Sequence, residues 1–269
     1  MAERTDPDNG THNRRAFLWR GCAILGALVL TGCTGLSQTT WFPNILRSAE
    51  DVSMAAQRLF AGSHALAREF TKADIAPDFR ANGTTTPPTI SYLKHVRSNF
   101  KDWQIEIGGL VENPLTLSLA DLRKLPARTQ ITRHDCVEGW SCIGEWTGAP
   151  LNLILGAAKP KANARYVVFY CADPMDDSDG DGIADTAFYY ESLDLLEATH
   201  PQTLLAYDLN GAPLPVKNGA PVRLRAERQL GYKMAKYVQR IALVESFAGI
   251  EGGMGGYWED RGYTWWAGI

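Results

Sequence analysis

Short apolar segments separated by turn-forming residues limit what this chain can fold into. The sequence has 25 glycines and 14 prolines in 269 residues, and turn formers at this frequency favour many short elements over a few long helices. Residues 103–107 alternate as a half-buried strand, residues 165–170 are typical of a buried strand, and the Asn-Gly pair at 210–211 predicts a hairpin turn. Residues 191–198 are predicted to form a helix. Because strands and helices interleave without regular βαβ alternation, we predict an α+β fold.

The first 32 residues are predicted to be an export signal and no part of the folded domain. Arg14 and Arg15 precede an apolar run at residues 22–30, which is too short for a permanent membrane-spanning helix and suits a signal peptide. Paired arginines followed by Phe-Leu resemble the twin-arginine signal, which exports folded proteins, often with a cofactor inserted. An ordinary secretory signal with chance arginines is the alternative. We therefore expect the protein in the cell envelope or periplasm.

The sequence Leu-Thr-Gly-Cys at residues 30–33 resembles a lipoprotein processing site. A lipid on Cys33 would tether the protein to a membrane without spanning it, although these small residues would also suit ordinary signal peptidase. Residues 33–80 are predicted to be a tether and an N-terminal helical arm, residues 81–250 the main domain, and residues 251–269 a Gly/Trp-rich C-terminal tail. No segment after the signal is apolar enough to be a transmembrane helix.

Residues 133–151 carry the first indication of a chemical site. Cys136 follows a predicted strand and precedes a turn rich in glycine and tryptophan. A structural cysteine usually lies among apolar residues, whereas Arg133, His134 and two carboxylates flank this one. Electropositive neighbours lower the pKa of a thiol and favour the thiolate, which is the form that attacks a substrate or binds a metal. This stretch alone leaves both roles open.

A second group of polar residues suits an anionic ligand. Asn218 and Arg223 lie close together in the sequence, and Lys233 and Lys236 follow in a glycine-containing segment. Arginine binds phosphate through two parallel hydrogen bonds, lysine adds a point charge, and backbone amides of turns donate further hydrogen bonds. A solvated basic edge without a ligand is the alternative interpretation.

These segments carry a resemblance to a known family. Cys-Val-Glu-Gly-Trp-Ser at residues 136–141, followed by Trp-Thr-Gly-Ala-Pro-Leu at 146–151, resembles the signature of the sulfite oxidase fold family of molybdopterin enzymes. Residues 218–223 and the Gly-Tyr-Lys-x-x-Lys run at 231–236 match the same family, in the same order. Within this family, the chain resembles the haem-free bacterial branch that includes the periplasmic methionine-sulfoxide reductases. The resemblance implies a mixed-sheet, sulfite-oxidase-like molybdopterin-binding fold.

The resemblance also implies roles for single residues. It implies one molybdopterin cofactor per chain, with the thiolate of Cys136 as a ligand of molybdenum. A soft thiolate suits a metal that dithiolene sulfurs already bind. Asn218, Arg223 and Lys236 match positions that hold the phosphate-bearing tail of the cofactor, and Lys233 lies in the same segment.

Three further residues are candidates for the site. Cys171 matches a cofactor-lining position at which relatives can carry threonine, and Asn82 matches a cofactor contact in a preceding loop. Arg133 is a candidate catalytic residue because it could attract an oxyanion such as sulfite. Bracing of the Cys136 turn is the alternative role for Arg133.

The implied activity is a two-electron, oxygen-atom-transfer type of redox reaction on a small S- or N-compound, such as a sulfoxide. The sequence contains no Cys-x-x-Cys-His haem motif, and we therefore expect a separate electron carrier, either a membrane cytochrome or a soluble one. A formal net charge of −3 gives no electrostatic reason to expect nucleic acid as a partner. Two alternatives stay open: a thiol-based enzyme with Cys136 as nucleophile and His134 as base, and a non-catalytic envelope binding module.

Two smaller features complete the sequence-based predictions. Residues 177–185 have the oxygen spacing of a calcium loop, but Phe188 replaces the bidentate glutamate that such loops require. We therefore expect a solvated acidic turn in preference to a calcium site. A disulfide between Cys142 and Cys171 is compatible with export to an oxidising compartment but does not follow from the sequence.

Overall fold

The computed structural model describes residues 41–62, 64–175 and 187–269. The chain divides into two compact units, residues 1–53 and 54–269. The described part of the first unit belongs to helix α1 (Trp41–Ala61). The predicted export signal and Cys33 lie outside the described residues. Within the described ranges, no helix combines the length and the apolar character needed to cross a bilayer.

The second unit contains a mixed five-stranded sheet. Its strands, in spatial order, are β2 (Leu115–Ser118), β1 (Gln104–Gly109), β10 (Val238–Val244), β5 (Tyr166–Pro174) and β6 (Phe188–Asp194). Strands β1 and β10 run parallel, and all the other pairs are antiparallel. The parallel pair joins strands that are far apart in the sequence, because several of the strands between them in the chain belong to a second sheet.

The second sheet is antiparallel throughout. Its strands are β3 (Arg128–Asp135), β4 (Ser141–Pro150), β7 (Leu204–Leu209) and β8 (Ala212–Pro213), with β9 (Arg223–Arg225) also paired to β7. The predicted hairpin turn is confirmed, since Asn210 and Gly211 lie between β7 and β8 with φ of 53° and 75°. Both residues therefore adopt the left-handed conformation that an Asn-Gly hairpin turn requires.

Besides the end of α1, the described residues of the second unit contain four α-helices, of which the first precedes β1 and the other three connect strands. They are α2 (Ile90–Arg97), α3 (Leu119–Lys124), α4 (Leu151–Ala158) and α5 (Leu195–Ala198). Ser118 begins α3, because its hydroxyl accepts from the Asp121 backbone N–H while the Asp121 carboxylate accepts from Ser118. This reciprocal capping satisfies two backbone donors at the start of the helix.

The predicted helix at residues 191–198 is wrong for its first half. Residues 191–194 belong to β6, in which Glu191 pairs with Phe169 and Ser192 pairs with Val168. The side chains from Tyr189 to Leu193 are buried on both faces of the strand, and this burial overrides the local helical pattern. Helix α5 begins after Asp194, whose carboxylate accepts from the Glu197 N–H.

Strand β4 occupies residues that the sequence suggested were a turn. Only residues 136–140 form the turn, and β4 then alternates between buried and half-buried side chains. Gly148 allows this strand to approach β7, because a Cβ atom there would collide with the Leu205 carbonyl oxygen. Because glycine has a low strand propensity, the sequence pattern did not predict this strand.

The buried apolar residues form one large cluster and one small one. Cys171 belongs to the large cluster, and Cys142 belongs to the small cluster around Phe79 and Trp146. Both cysteines are free thiols. The suggested Cys142–Cys171 disulfide is therefore absent from the described structure.

Candidate active site

Cys136 occupies the tight turn between β3 and β4. The register pairs Asp135 with Ser141, so the turn spans residues 136–140. The Cys136 N–H donates to the Trp140 carbonyl at 2.9 Å, and the Gly139 N–H donates to the Cys136 carbonyl at 3.0 Å. Two backbone hydrogen bonds and the flanking ladder therefore fix the direction of the Cys136 side chain.

The turn forms one side of a pocket of about 160 Å³. Segments that are distant in the sequence supply the other sides. The lining residues are Asn82, Gly83, Thr84, Cys136, Val137, Glu138, Asp173, Met175, Tyr189, Gly231, Tyr232, Met234, Lys236, Trp258 and Tyr263. Three of the predicted site residues, Asn82, Cys136 and Lys236, are thus brought together by the fold.

The expected electropositive surroundings of the Cys136 thiol are not found. Burial is the largest effect and raises its pKa, and the negative charge of Glu138 adds to it. A hydrogen bond from the Glu138 backbone is the main opposing effect, and the charge of Arg80 opposes the rise more weakly. Arg133 is 53% exposed, pairs with Asp135 at 2.8 Å and lines a different cavity. The metal-free protein therefore holds Cys136 as a thiol at neutral pH, and a metal ligand role requires metal binding to displace the proton.

His134 cannot serve as the base that a thiol-based enzyme would need. Its ring is buried, and its Nδ1 lies 3.0 Å from an N–H of Arg225. Because arginine only donates, Nδ1 must accept, and the proton of the neutral ring is on Nε2. Burial, followed by the charges of Arg225, Arg223 and Lys236, holds the pKa of His134 well below its usual value. Neither ring nitrogen is a free acceptor, and no hydrogen bond joins the ring to Cys136 in the described residues.

Arg223 and Lys236 are buried cations without a carboxylate partner among the described residues. Arg223 donates to the carbonyls of Asn218 at 3.0 Å and Met234 at 3.1 Å, and its Nε has no partner. Lys236 donates to the carbonyls of Asn82, Thr84 and Lys217. Burial above all, with repulsion from Arg225, lowers the pKa of Arg223 to about 9. Burial and the charge of Arg223 lower the pKa of Lys236 to about 7.

The neighbouring Arg225 is different, because Glu227 neutralises it. Two nitrogens of its guanidinium donate to the Glu227 carboxylate at 2.9 and 2.6 Å, and both side chains are completely buried. The site thus contains more positive than negative charge close to Arg223, and an anion would relieve the imbalance.

Buried polar atoms without partners lie in the same region. Asn218 is 1% exposed, yet neither Oδ1 nor Nδ2 of its side chain has a hydrogen-bond partner, and Asn82 Oδ1 and His134 Nε2 are also unsatisfied. Each such atom costs about 1–3 kcal/mol when it stays unpaired. Unsatisfied donors and acceptors beside uncompensated cations fit a polar, negatively charged group. The residues present therefore suit the phosphate-bearing tail of a molybdopterin cofactor.

Two other predicted cofactor contacts have different surroundings. The Lys233 amine lies between the carboxylates of Glu191 and Glu259, and all three side chains are at most 1% exposed. Its charge is therefore already balanced and is not offered to a cofactor. Cys171 is completely buried in β5, where burial holds its pKa well above the usual value. Its neighbours Asp173 and Met175 line the pocket instead.

Several pocket residues gave no signal in the sequence. The aromatic side chains of Tyr189, from β6, and of Trp258 and Tyr263, from the C-terminal tail, reach the pocket beside Tyr232 of the Gly-Tyr-Lys-x-x-Lys run. Only the Gly/Trp-rich composition of the C-terminal tail hinted that residues there could contribute. Within the ranges that the structure describes, no group of three or more His, Cys, Asp or Glu side chains could hold a metal ion. Residues 177–185, the candidate calcium loop, lie outside those ranges, so the expected solvated acidic turn stays a prediction.

Comparison with known proteins shows to which protein family this chain belongs. The family model of the oxidoreductase molybdopterin binding domain matches residues 93–248, more than half of the sequence. The chain belongs to this family, and it is a molybdenum cofactor-dependent oxidoreductase with an α+β, sulfite-oxidase-like fold. The predicted fold class and the resemblance found in the sequence are both confirmed.

Individual relatives refine this assignment. The chain is 35% identical over 259 residues to the Azospira oryzae protein YedZ1, provisionally named a protein-methionine-sulfoxide reductase subunit, covering 95% of this chain and 87% of that protein. It is 41% identical to the protein-methionine-sulfoxide reductase catalytic subunit MsrP of Xanthomonas axonopodis and 38% identical to that of Campylobacter jejuni. These matches cover 53% of this chain, and the chain spans 45% and 49% of the two MsrP proteins. The sulfane dehydrogenase SoxCD of Paracoccus pantotrophus aligns with 22% identity and a TM-score of 0.46, over 54% of this chain and 39% of that chain.

The lowered pKa of Lys236 predicts how the stability of the cofactor-free protein depends on pH. Its pKa of about 7 in the folded protein lies below the ordinary lysine value of 10.5, so between these two pH values the unfolded chain binds more protons. The free energy of unfolding should therefore rise with pH from about 7 to 8.5. We expect the melting temperature of the apoprotein to rise across this range by several degrees more than that of Lys236→Met. An equal increase of melting temperature with pH in the wild-type protein and in Lys236→Met would contradict this prediction.

Proposed function

We propose that this protein reduces an organic sulfoxide, with a molybdenum cofactor bound through the thiolate of Cys136. The single observation that carries this proposal is the placement of Cys136 in a pocket to which four aromatic and two thioether side chains also contribute. The names of the curated relatives, which refer to reduction of methionine sulfoxide in proteins, support the same substrate class.

The overall reaction requires two electrons and two protons. The sulfur–oxygen bond of the sulfoxide breaks, sulfur gains the electron pair, and the oxygen leaves with two protons as water. When bound, the cofactor supplies the two-electron redox chemistry and a site that accepts oxygen. The residues of this chain orient the cofactor and substrate and exclude water from the pocket.

Particular residues would hold the cofactor. Asn218 offers both ends of its side-chain amide, Arg223 offers Nε, and Lys236 adds a nearby positive charge. These groups suit the phosphate-bearing tail of the cofactor, of which we propose one per chain. Cys136 would supply a soft sulfur ligand to the metal, since a thiolate suits molybdenum better than a hard cation.

The charges of the pocket favour a neutral substrate over an oxyanion such as sulfite. Its charged lining residues are Glu138, Asp173 and Lys236, and the Lys236 amine already donates to three backbone carbonyls. Arg133, the residue expected to attract an oxyanion, lines the other cavity. With the Lys236 charge assigned to the cofactor tail, a sulfite anion would therefore approach Glu138 and Asp173 without a further lining cation among the described residues to offset them.

We also propose the cellular setting on sequence grounds. The paired Arg14 and Arg15 favour twin-arginine export to the periplasm, and the segment ending at Cys33 favours a lipid anchor there. A separate electron carrier, either a membrane cytochrome or a soluble one, would deliver the electrons.

A dye-linked assay on protein purified from its native compartment tests the proposed activity. We expect about one molybdenum per chain and turnover of methionine sulfoxide with reduced viologen as the electron donor. Sulfite oxidation with ferricyanide should be at least about 10-fold slower in kcat/KM, a difference that pocket charge can produce. Faster turnover of sulfite would contradict the substrate assignment. A complete lack of turnover in molybdenum-loaded protein would favour the non-catalytic binding module.

A further inference from the structure

Three aromatic rings form a continuous surface on one side of the Cys136 pocket. Trp258 and Tyr263 line the pocket from the C-terminal tail, and their rings stack with centroids 5.3 Å apart and planes 26° apart. Tyr232 meets the Tyr263 ring edge to face, with centroids 5.2 Å apart. We call these three residues the aromatic wall. It lines the same cavity as Cys136 and so faces the space where chemistry would occur.

A buried ion pair holds the tail against the rest of the site. The Glu259 carboxylate, next to Trp258, accepts from Lys233 Nζ at 2.5 Å, and Lys233 also donates to Glu191. Burial lowers the pKa of Lys233, but attraction to Glu191 and Glu259 outweighs burial and raises it. The amine therefore stays charged. Because Lys233 lies between Tyr232 and Met234, which both line the pocket, the pair connects two walls of the site.

A second set of contacts fixes the same segment. The Asp260 carboxylate accepts from the backbone N–H of Gly252 at 3.1 Å and of Met254 at 2.9 Å, and from the Tyr190 hydroxyl at 2.5 Å. The Tyr232 hydroxyl donates to the Thr264 carbonyl at 2.7 Å. The tail is thus attached between the two rings that it contributes, through Asp260, and directly after the second ring, at Thr264.

We propose that Trp258 and Tyr263 determine specificity by holding the organic groups of the sulfoxide, and that Glu259 is a positioning residue for this wall. The proposal rests on the proposed function and names its substrate class: a sulfoxide with an extended alkyl chain, such as methionine sulfoxide. Aromatic faces bind alkyl groups and sulfur favourably. Dimethyl sulfoxide has only two methyl groups and would therefore gain less from contact with aromatic faces than a substrate with a longer alkyl chain.

Kinetics with two substrates test the wall. For Trp258→Ala and Tyr263→Ala, we expect KM for methionine sulfoxide to rise about 10-fold with kcat changed less than about twofold, which indicates lost substrate binding. The KM for dimethyl sulfoxide should stay within about twofold of the wild-type value. Trp258→Phe, which keeps an aromatic ring, should recover at least half of the lost affinity.

Variants of Glu259 test its positioning role separately. Glu259→Gln should raise KM for methionine sulfoxide at least about threefold without changing kcat, and Glu259→Asp should partly restore it. Glu251→Gln is the matched control, because Glu251 is exposed in the same tail and lines no part of the pocket. Thermal unfolding of each variant confirms that the holoenzyme remains folded.

The possible results separate this proposal from the proposed function. If the wild-type enzyme reduces no sulfoxide, both are overturned. If it reduces methionine sulfoxide but Trp258→Ala and Tyr263→Ala leave KM unchanged, only the wall is overturned. Loss of pterin from these variants, measured by fluorescence after oxidation, would also overturn the proposal, because the wall would then contact the cofactor.

Discussion

Replacement of Cys136 by alanine is expected to lower sulfoxide turnover by more than about 100-fold, which exceeds the usual effect of losing a residue that merely supports a metal ligand. The bound pterin should stay within about twofold of the wild-type amount, because Asn218, Arg223 and Lys236 hold the far end of the cofactor. The dye-linked assay and pterin fluorescence measure the two quantities on the same sample.

Cys142→Ala is the matched control for this experiment. Cys142 is also a free thiol on the same hairpin, but it lies in the small apolar cluster and lines no part of the pocket. Replacement of Cys142 should leave the rate of sulfoxide turnover within about twofold of the wild-type rate. Any cost should appear as a lower free energy of unfolding. Retention of more than a tenth of wild-type activity in Cys136→Ala would refute metal ligation by this residue. Alkylation of Cys136 by iodoacetamide in the molybdenum-loaded protein would favour the thiol-based alternative.

Replacement of Arg223 by methionine is expected to reduce the pterin content of the purified protein by more than about 10-fold. The guanidinium is completely buried and has no carboxylate partner among the described residues, so its charge is available to an anionic tail. Loss of one partner from a desolvated charge pair costs about 2–5 kcal/mol in binding. Pterin fluorescence and metal analysis of protein purified without added cofactor measure the effect.

The same variant should also change how the cofactor stabilises the protein. A ligand that binds only the folded state raises the melting temperature in proportion to its occupancy and affinity. The difference in melting temperature between loaded and cofactor-free protein should therefore largely disappear in Arg223→Met. Arg123→Met is the control, because Arg123 is partly exposed and pairs with Asp208 at 2.6 Å. Equal pterin content in both variants would show that Arg223 does not hold the cofactor.

Local sequence signals identified much of the fold because they depend on neighbouring residues alone. The Asn-Gly pair at residues 210–211 formed the expected hairpin turn. Strands at residues 104–109 and 166–174 appeared where alternation or a buried run predicted them. The helix predicted at residues 191–198 failed in its first half, because pairing with β5 decides the conformation of Glu191 and Ser192.

For the site, the sequence by itself identified the residues that match the family pattern. These are Cys136, which follows a strand, and Asn218, Arg223 and Lys236, which come later in the chain in the same order as in the family. Only the tertiary structure decided their surroundings. Burial, not the neighbouring Arg133 and His134, sets the direction in which the thiol pKa shifts.

The clearest case is Lys233, which resembled a cofactor contact in the sequence. In the structure it pairs with Glu191 and Glu259, which lie 42 and 26 positions away, and so attaches the aromatic tail to the pocket. Sequence motifs record the identity of residues, whereas desolvation and charge pairing depend on distances between segments. Those distances exist only after the two sheets and the tail have packed together.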